Sequence, residues 1–154
     1  MSAHIEVTQE YLFPSMVWYA DLAAAREMNT QLTAGISDLR TKVKSIKRSN
    51  ELGWHSPVNM HKRDLFKPLC DCIDSMAATV AGSMNMRKDR KLVIETFWVN
   101  ISPKYAYNAL HEHPQSVLSG VYYVQVDDKS GSLRFRDPRA AKRMRQRIRQ
   151  WRLN

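Results

Sequence analysis

The sequence has little cysteine, little glycine or proline, and no long apolar run. Its two cysteines, Cys70 and Cys72, have a C-x-C spacing that fits neither a C-x-x-C zinc half-site nor a disulfide, so we expect two buried, reduced thiols. The 5 Gly and 6 Pro residues exclude a low-complexity or collagen-like chain. No apolar run approaches the ~18 residues of a membrane span. The N-terminus lacks the basic and apolar regions of a secretory signal, so we expect a cytoplasmic protein with no membrane partner.

Acidic residues are absent from the last 16 positions. Residues 139–154 contain seven basic side chains, whereas the preceding 138 residues hold 17 basic against 15 acidic ones. The formal charge of +9 therefore belongs to a short tail and not to the whole chain. The length of 154 residues, the 44% hydrophobic content and the aromatic residues predict a single globular domain, which we place at 1–138, followed by a basic tail at 139–154.

Apolar residues recur every three or four positions in the first half, which predicts two helices. Asp21 is the candidate N-cap of the first helix. Gly53 lies in a break at 49–57, and a second helix is predicted from about Leu65 to Met84, with Gly82 near its end. The inward face of the first helix is predicted to hold Leu22, Ala25, Met28, Leu32, Ile36, Leu39, Val43 and Ile46.

The second half is richer in β-branched and aromatic residues, which predicts strands. We expect a strand buried on both faces at 92–99 and a second strand at 117–126 with Leu118, Tyr122, Val124 and Val126 on one face. A polar turn at 127–131 would join it to a third strand at 132–136 as a hairpin. Helices followed by strands predict an α+β fold with an antiparallel sheet.

Two histidines, His111 and His113, lie between the first two predicted strands. In an extended chain, residues i and i+2 point to the same side, so both imidazoles can converge on one ion while Glu112 faces away. Two imidazoles could fill adjacent positions of an octahedral metal site, which a third ligand would complete. A pair of exposed loop histidines before a proline is the alternative interpretation.

The ordered motifs around this pair resemble a small family of 2-oxoglutarate- and Fe(II)-dependent oxygenases of bacteria and phages. The resemblance extends over residues 11–139, including Leu12-Phe13-Pro14 and Gly53-Trp54-His55-Ser56. Its second half is carried by Trp98-Val-Asn-Ile, Asn108, His111-Glu-His-Pro, Leu118-Ser-Gly-Val-Tyr-Tyr-Val and Ser130-Gly-Ser-Leu-Arg-Phe-Arg-Asp-Pro-Arg139.

The resemblance implies a double-stranded β-helix, or jelly roll, with the helices packed outside it. It implies that His111 and His113 bind Fe(II), and that 2-oxoglutarate chelates the iron and is decarboxylated as a substrate is hydroxylated. Asn100, Tyr122 and Tyr123 are candidates to line the 2-oxoglutarate pocket, although the tyrosines could equally be barrel core. Asn100 is the better candidate, because an amide ending an apolar strand needs a hydrogen-bond partner.

The chain departs from this family after Pro138. The family has a late His ligand and an Arg that binds the distal carboxylate of 2-oxoglutarate, but no histidine follows His113 here. We expect the tail to match nothing in the family and only about the first half of the barrel to be present.

Three explanations of this departure remain open. The chain could be truncated or frameshifted, which we favour, or two chains could complete one another with His4, His55 or His61 as the third ligand. We expect His55 to cap the loop between the helices, with a place near the pocket mouth as the alternative, and His61 to be exposed. In the third explanation, the protein has lost oxygenase activity and keeps the half-barrel for binding. The alternative function is nonspecific binding of nucleic acid or another polyanion by the tail.

Overall fold

The structure is a computed structural model that describes residues 14–23 and 25–136. The predictions for His4, for Leu12-Phe13 and for the tail at 139–154 lie outside these residues. The described elements are α1 (Ala25–Lys42), β1 (Asn50–Glu51), β2 (Trp54–His55), two 3-10 turns (Met60–Lys62 and Asp64–Phe66), α2 (Lys67–Ser83), β3 (Asn100–Ile101) and β4 (Tyr107–Asn108). Two helices and short antiparallel strands confirm the α+β class.

The first predicted helix forms α1 with the expected apolar face. Leu32, Ile36 and Leu39 are buried on it, as their spacing of three and four residues predicts. The described helix begins at Ala25, so the prediction of Asp21 as its N-cap is wrong. The backbone N–H of Ala25 instead donates to the carbonyl of Leu22 at 3.2 Å.

α1 ends before two residues that we expected on its face, Val43 and Ile46. The indole Nε1 of Trp54 donates to the carbonyl of Val43 at 3.0 Å, and the N–H of Ile46 donates to the carbonyl of His55 at 2.9 Å. These bonds draw the chain after Lys42 alongside β2, so the apolar pattern continues past the end of the helix.

The second predicted helix forms α2 with bounds close to those expected. It ends one residue after Gly82, and the residue with a left-handed backbone is Asn85, at φ 51°. Cys70 is buried on this helix and Cys72 is half-buried, and both thiols are free. Cys70 agrees with the prediction of a buried, reduced thiol, whereas Cys72 is less buried than expected.

The segment at 49–57, predicted only as a break, contains two short strands. β1 pairs antiparallel with β4, and β2 pairs antiparallel with β3. The pairing is close at Gly53, where a Cβ atom would lie 3.1 Å from the carbonyl oxygen of Ile101. A side chain there would press on the backbone of β3, which explains the glycine.

The prediction of a doubly buried strand at 92–99 is wrong. The Val93 side chain is 74% exposed, and a regular strand occurs only afterwards, at β3. Phe97 forms a single bridge with Asn59 and exchanges backbone hydrogen bonds with residues 58 and 60. This segment has one neighbouring chain on part of its length, so neither a ladder nor two covered faces can form.

The predicted strands at 117–126 and 132–136 are not regular strands either. Tyr122 and Val124 pack against the core at alternate positions, as predicted, but Val126 is exposed. The polar turn is present, because Ser130 N–H donates to the carbonyl of Asp127 at 3.0 Å. The residues on either side of this turn form no ladder, so the hairpin is absent from the described residues.

The core lies between α1, the 3-10 turns, α2 and β2. Phe66 is 1% exposed at its centre, and its ring meets the ring of Phe97 edge-on at 5.3 Å. The four two-residue strands do not confirm the jelly roll, which stays a prediction. Among the described residues, no helix is long and apolar enough to cross a membrane.

Candidate functional site

The two histidines of the H-x-H motif follow β4, whose position depends on the β1–β4 pair. Asn108, the last residue of β4, lies opposite Asn50. The N–H of Ala109 then donates to the carbonyl of Ser49 at 2.8 Å. These contacts place the chain that leads into His111.

The imidazole rings of His111 and His113 lie side by side, with their centroids 4.9 Å apart and their planes at 53°. The two rings are therefore neighbours, as the i, i+2 spacing predicts, and their convergence on one ion stays a prediction. Nδ1 of His111 lies 2.7 Å from the carbonyl oxygen of Ala109, and Nδ1 of His113 lies 2.5 Å from Oγ of Ser119. In both rings Nδ1 has a hydrogen-bond partner, which leaves Nε2 as the nitrogen for a ligand.

The spacing of the rings fits two adjacent metal ligands. With metal–nitrogen bonds of about 2.1 Å and a ligand–metal–ligand angle of about 90°, two imidazole centroids would lie about 4.6 Å apart. The observed 4.9 Å is close to that value. Within residues 14–23 and 25–136, however, no group of three or more His, Cys, Asp or Glu residues could hold a metal ion.

Trp98 connects the histidine pair to the buried part of the protein. Its ring meets His113 edge-on, with centroids 5.3 Å apart, and stacks on His55 with centroids 5.7 Å apart and planes at 10°. His55 is in β2, is 3% exposed, and has Nδ1 within 2.5 Å of the Ser56 carbonyl oxygen. His55 is thus a buried strand residue and not a loop cap, and its contact with Trp98 favours the alternative that it lies near the histidine pair.

Among the described residues of one chain, neither His55 nor His61 joins the pair in a group that could hold a metal ion, and a ligand from a second copy stays a prediction. The ring of Trp98 lies between His55 and His113. His61 is in a 3-10 turn, where its Nδ1 is buried without a hydrogen-bond partner in the described part of the chain. His61 is half-buried, so the prediction that it is exposed is wrong.

The three candidates for binding 2-oxoglutarate occupy different surroundings. Asn100, in β3, is exposed, so its amide can be hydrated and does not need the protein partner that we expected. Tyr123 is 49% exposed. Tyr122 packs against the core and donates its hydroxyl to Oδ1 of Asn29, on α1, at 2.7 Å. Its contacts favour the core alternative.

Two surface grooves lie along α1, away from the histidine pair. The first, of about 390 Å³, is bounded by α1 and by Val124 and Gln125. The second, of about 640 Å³, is lined by residues from the start of α1. Neither groove is lined by His111 or His113.

Comparison with known proteins finds a match in the part of the chain that contains the histidine pair. Residues 96–152 match the family model described as "Putative 2OG-Fe(II) oxygenase". The match confirms the resemblance to this oxygenase family. No curated protein and no solved structure matches the chain.

The range matched by the oxygenase family differs from the range predicted. It includes the histidine pair and all three candidate 2-oxoglutarate residues, but it begins after Gly53-Trp54-His55-Ser56. It also continues past Pro138 to residue 152. The expectation that the tail matches nothing in the family is therefore wrong.

Sequence reasoning missed two residues that contact His113, namely Trp98 and Ser119. Both occur in the motifs that carry the family resemblance, in Trp98-Val-Asn-Ile and Leu118-Ser-Gly. That occurrence was the available signal, but nothing in the spacing of either residue indicates a contact with His113.

Proposed function

We propose that this chain carries the iron-binding part of a 2-oxoglutarate- and Fe(II)-dependent dioxygenase, a hydroxylase of unknown substrate, with His111 and His113 as iron ligands. The observation that carries the proposal is the adjacency of the two imidazoles, 4.9 Å apart, inside the segment that matches the oxygenase family. We also propose a jelly roll as its complete fold and the cytoplasm as its location.

The residues of the chain have distinct tasks in this proposal. His111 and His113 present Nε2 while the Ala109 carbonyl and the Ser119 hydroxyl hold their Nδ1 atoms. Asn100 and Tyr123 supply exposed polar groups that could bind 2-oxoglutarate, whereas the hydroxyl of Tyr122 is already bonded to Asn29. Bound iron and 2-oxoglutarate together would activate O₂ for hydroxylation of the substrate.

We further propose that this chain by itself is inactive. It has no histidine after His113, and the described residues bring no third ligand to the pair. Two imidazoles can hold a metal, but a facial set of three is what fixes iron with open positions for 2-oxoglutarate and O₂. Metal binding and turnover should therefore separate experimentally.

The test is an anaerobic titration of the purified chain with Fe(II), followed by 2-oxoglutarate. We expect one iron per chain, a weak visible charge-transfer band on addition of 2-oxoglutarate, and no release of succinate in air. His111→Ala and His113→Ala should abolish both binding and the band. Glu112→Gln is the matched control, because it lies between the ligands and the alternation of side chains directs it away.

Each outcome of this titration bears on one part of the proposal. A folded chain that binds no iron would overturn the oxygenase proposal. Binding that persists in both alanine variants would overturn the ligand assignment. Succinate formed by the chain alone, with one equivalent per O₂ consumed, would overturn the proposed inactivity.

We also propose that two copies of the chain associate. Large apolar side chains are exposed throughout the half that contains the predicted strands, and a surface of this kind is usually covered in solution. They are Val93, Tyr105, Tyr107, Leu110, Val117, Val121, Tyr123, Val126, Leu133 and Phe135. Sedimentation velocity should show a dimer, or larger aggregates, at micromolar concentration, and a stable monomer would refute this proposal.

The second candidate function is nonspecific binding of nucleic acid or another polyanion. It rests on the segregation of charge in the sequence, where residues 139–154 contain seven basic side chains and no acid. Phosphate contacts from such a tail give affinity that falls steeply with salt and carries no sequence preference.

A further inference from the structure

The loop after His113 folds back onto the histidine. Gln115 has a left-handed backbone at φ 70°, and the N–H of Ser116 donates to the carbonyl of His113 at 3.3 Å. The chain therefore brings Ser119, six residues after His113, back to the His113 ring. Its Oγ reaches Nδ1 of His113 at 2.5 Å.

This contact matters because a neutral imidazole has one protonated and one unprotonated nitrogen. A histidine that binds metal through Nε2 must hold its proton on Nδ1, and an acceptor at Nδ1 fixes that tautomer. For His111 the partner is the carbonyl oxygen of Ala109, which can only accept. The corresponding partner of His113 is the hydroxyl of Ser119, which accepts when its own proton points elsewhere.

A second contact restrains the same ring from another direction. Trp98 meets the His113 ring at an interplanar angle of 90° and is itself stacked on His55, which is buried. The Trp98 ring, packed on the buried His55, therefore limits the tilt of the His113 ring, while Ser119 holds its Nδ1 atom. His111 is exposed and His113 is half-buried, so His113 is the more restrained of the two.

We propose that Ser119 is a positioning residue. It holds His113, which packs against the Trp98 ring, as the Nδ1-protonated tautomer and so leaves Nε2 available for metal. The metal-binding consequence rests on the proposed oxygenase function. The tautomer itself does not, because it is a property of the metal-free chain. The two can therefore be tested separately.

The first experiment measures the imidazole tautomer of His113 in the metal-free chain by ¹⁵N-detected NMR, at about pH 8.5 where imidazoles are neutral. We expect the Nδ1-protonated form in the wild type and its loss in Ser119→Val, which removes the hydroxyl. Ser119→Thr has the same shape as valine but retains the hydroxyl, so it should restore the wild-type tautomer. Ser116→Ala, an exposed serine of the same loop, is the matched control and should change nothing.

The second experiment measures the affinity of the same variants for Co(II) by visible absorption. Loss of a partner that orients a ligand histidine lowers metal affinity by roughly 10–100-fold. We expect a loss of this size in Ser119→Val and near wild-type affinity in Ser119→Thr and Ser116→Ala. A merely structural serine would not give this recovery with threonine alone.

The outcomes separate the inference from the proposed function. If the wild type is protonated on Nε2, or if Ser119→Val keeps the proton on Nδ1, the positioning role is overturned. If Ser119→Val changes the tautomer but leaves Co(II) affinity unchanged, the link to metal binding is overturned. If the wild type binds neither Co(II) nor Fe(II), the oxygenase proposal fails while the NMR result still decides the role of Ser119.

Discussion

Replacing Ser56 by alanine should destabilise the protein although it removes only one oxygen atom. Ser56 is completely buried. Its Oγ donates to the carbonyl of Pro57 at 2.8 Å and accepts the backbone N–H of Val99 at 2.9 Å. The backbone N–H of Ser56 also donates to the carbonyl of Val99 at 3.0 Å. The hydroxyl thus joins the chain after β2 to the chain before β3.

The expected magnitude follows from the donor that the substitution leaves behind. The N–H of Val99 would lose its partner in a partly buried position, and an unsatisfied buried donor costs about 1–3 kcal/mol. The backbone bond from Ser56 N–H remains, so the register of the chains should survive. We therefore expect Ser56→Ala to lower the free energy of unfolding by about 2 kcal/mol, which is a change of roughly 30-fold in the folding equilibrium.

Urea denaturation followed by tryptophan fluorescence measures this change. Trp54 is buried two residues before Ser56, and Trp98 stacks on His55 and meets His113 edge-on, so both indoles report on this region. Ser37→Ala is the control, because the Ser37 hydroxyl bonds the carbonyl of Thr33 on the exposed side of α1; it should change stability by less than about 0.5 kcal/mol. A Ser56→Ala effect as small as that of the control would refute the argument.

Three further predictions follow from other positions. Leu52 has φ 60° and is 77% exposed, so Leu52→Asn should raise the free energy of unfolding by about 0.5–1 kcal/mol, since asparagine tolerates the left-handed region; an unchanged or lower urea midpoint would contradict this. Burial, with added repulsion from neighbouring carboxylates, raises the pKa of the Cys70 thiol. The neutral thiol therefore contributes its full stability below the ordinary thiol pKa of about 8.5, and this contribution is lost as the pH rises through the pKa of the folded protein. The unfolding free energy of Cys70→Ala should consequently fall less above pH 9 than that of the wild type, and parallel curves would count against it. Replacing the seven basic residues at 139–154 by glutamine should abolish retention on heparin at low salt, and undiminished retention would exclude the tail as the polyanion-binding segment.

The sequence predicted the helices well because their signal is local. Leu32, Ile36 and Leu39 repeat with the helical period, and each is buried as that period requires. β1 and β2 were not predicted, because a strand of two residues contains no period to detect. Their existence depends on partners that lie beyond α2 in the chain.

Strand content was overestimated for the opposite reason. β-branched composition at 92–99 indicates an extended backbone, but a regular strand also needs a neighbour to bond with, and Phe97 has one only in part. At the site, the proximity of the His111 and His113 rings could be predicted from their i, i+2 spacing alone. The contact of His113 with Ser119 could not, because it depends on how the intervening loop folds back.

The nesting of the two strand pairs has a consequence for how the protein folds. β1 and β2 precede α2 and pair with β4 and β3, which follow it, so the two pairs are nested around the helix. Both helices can form from local contacts, whereas each strand pair must close a long loop, which is slow. The approach of His111 to His113 is local and needs neither pair, whereas the stacking of Trp98 on His55 joins the chain from both sides of α2 and depends on the β2–β3 pair. A ligand that needs the His113 ring held against Trp98 should then bind best to chains that have closed the β2–β3 pair.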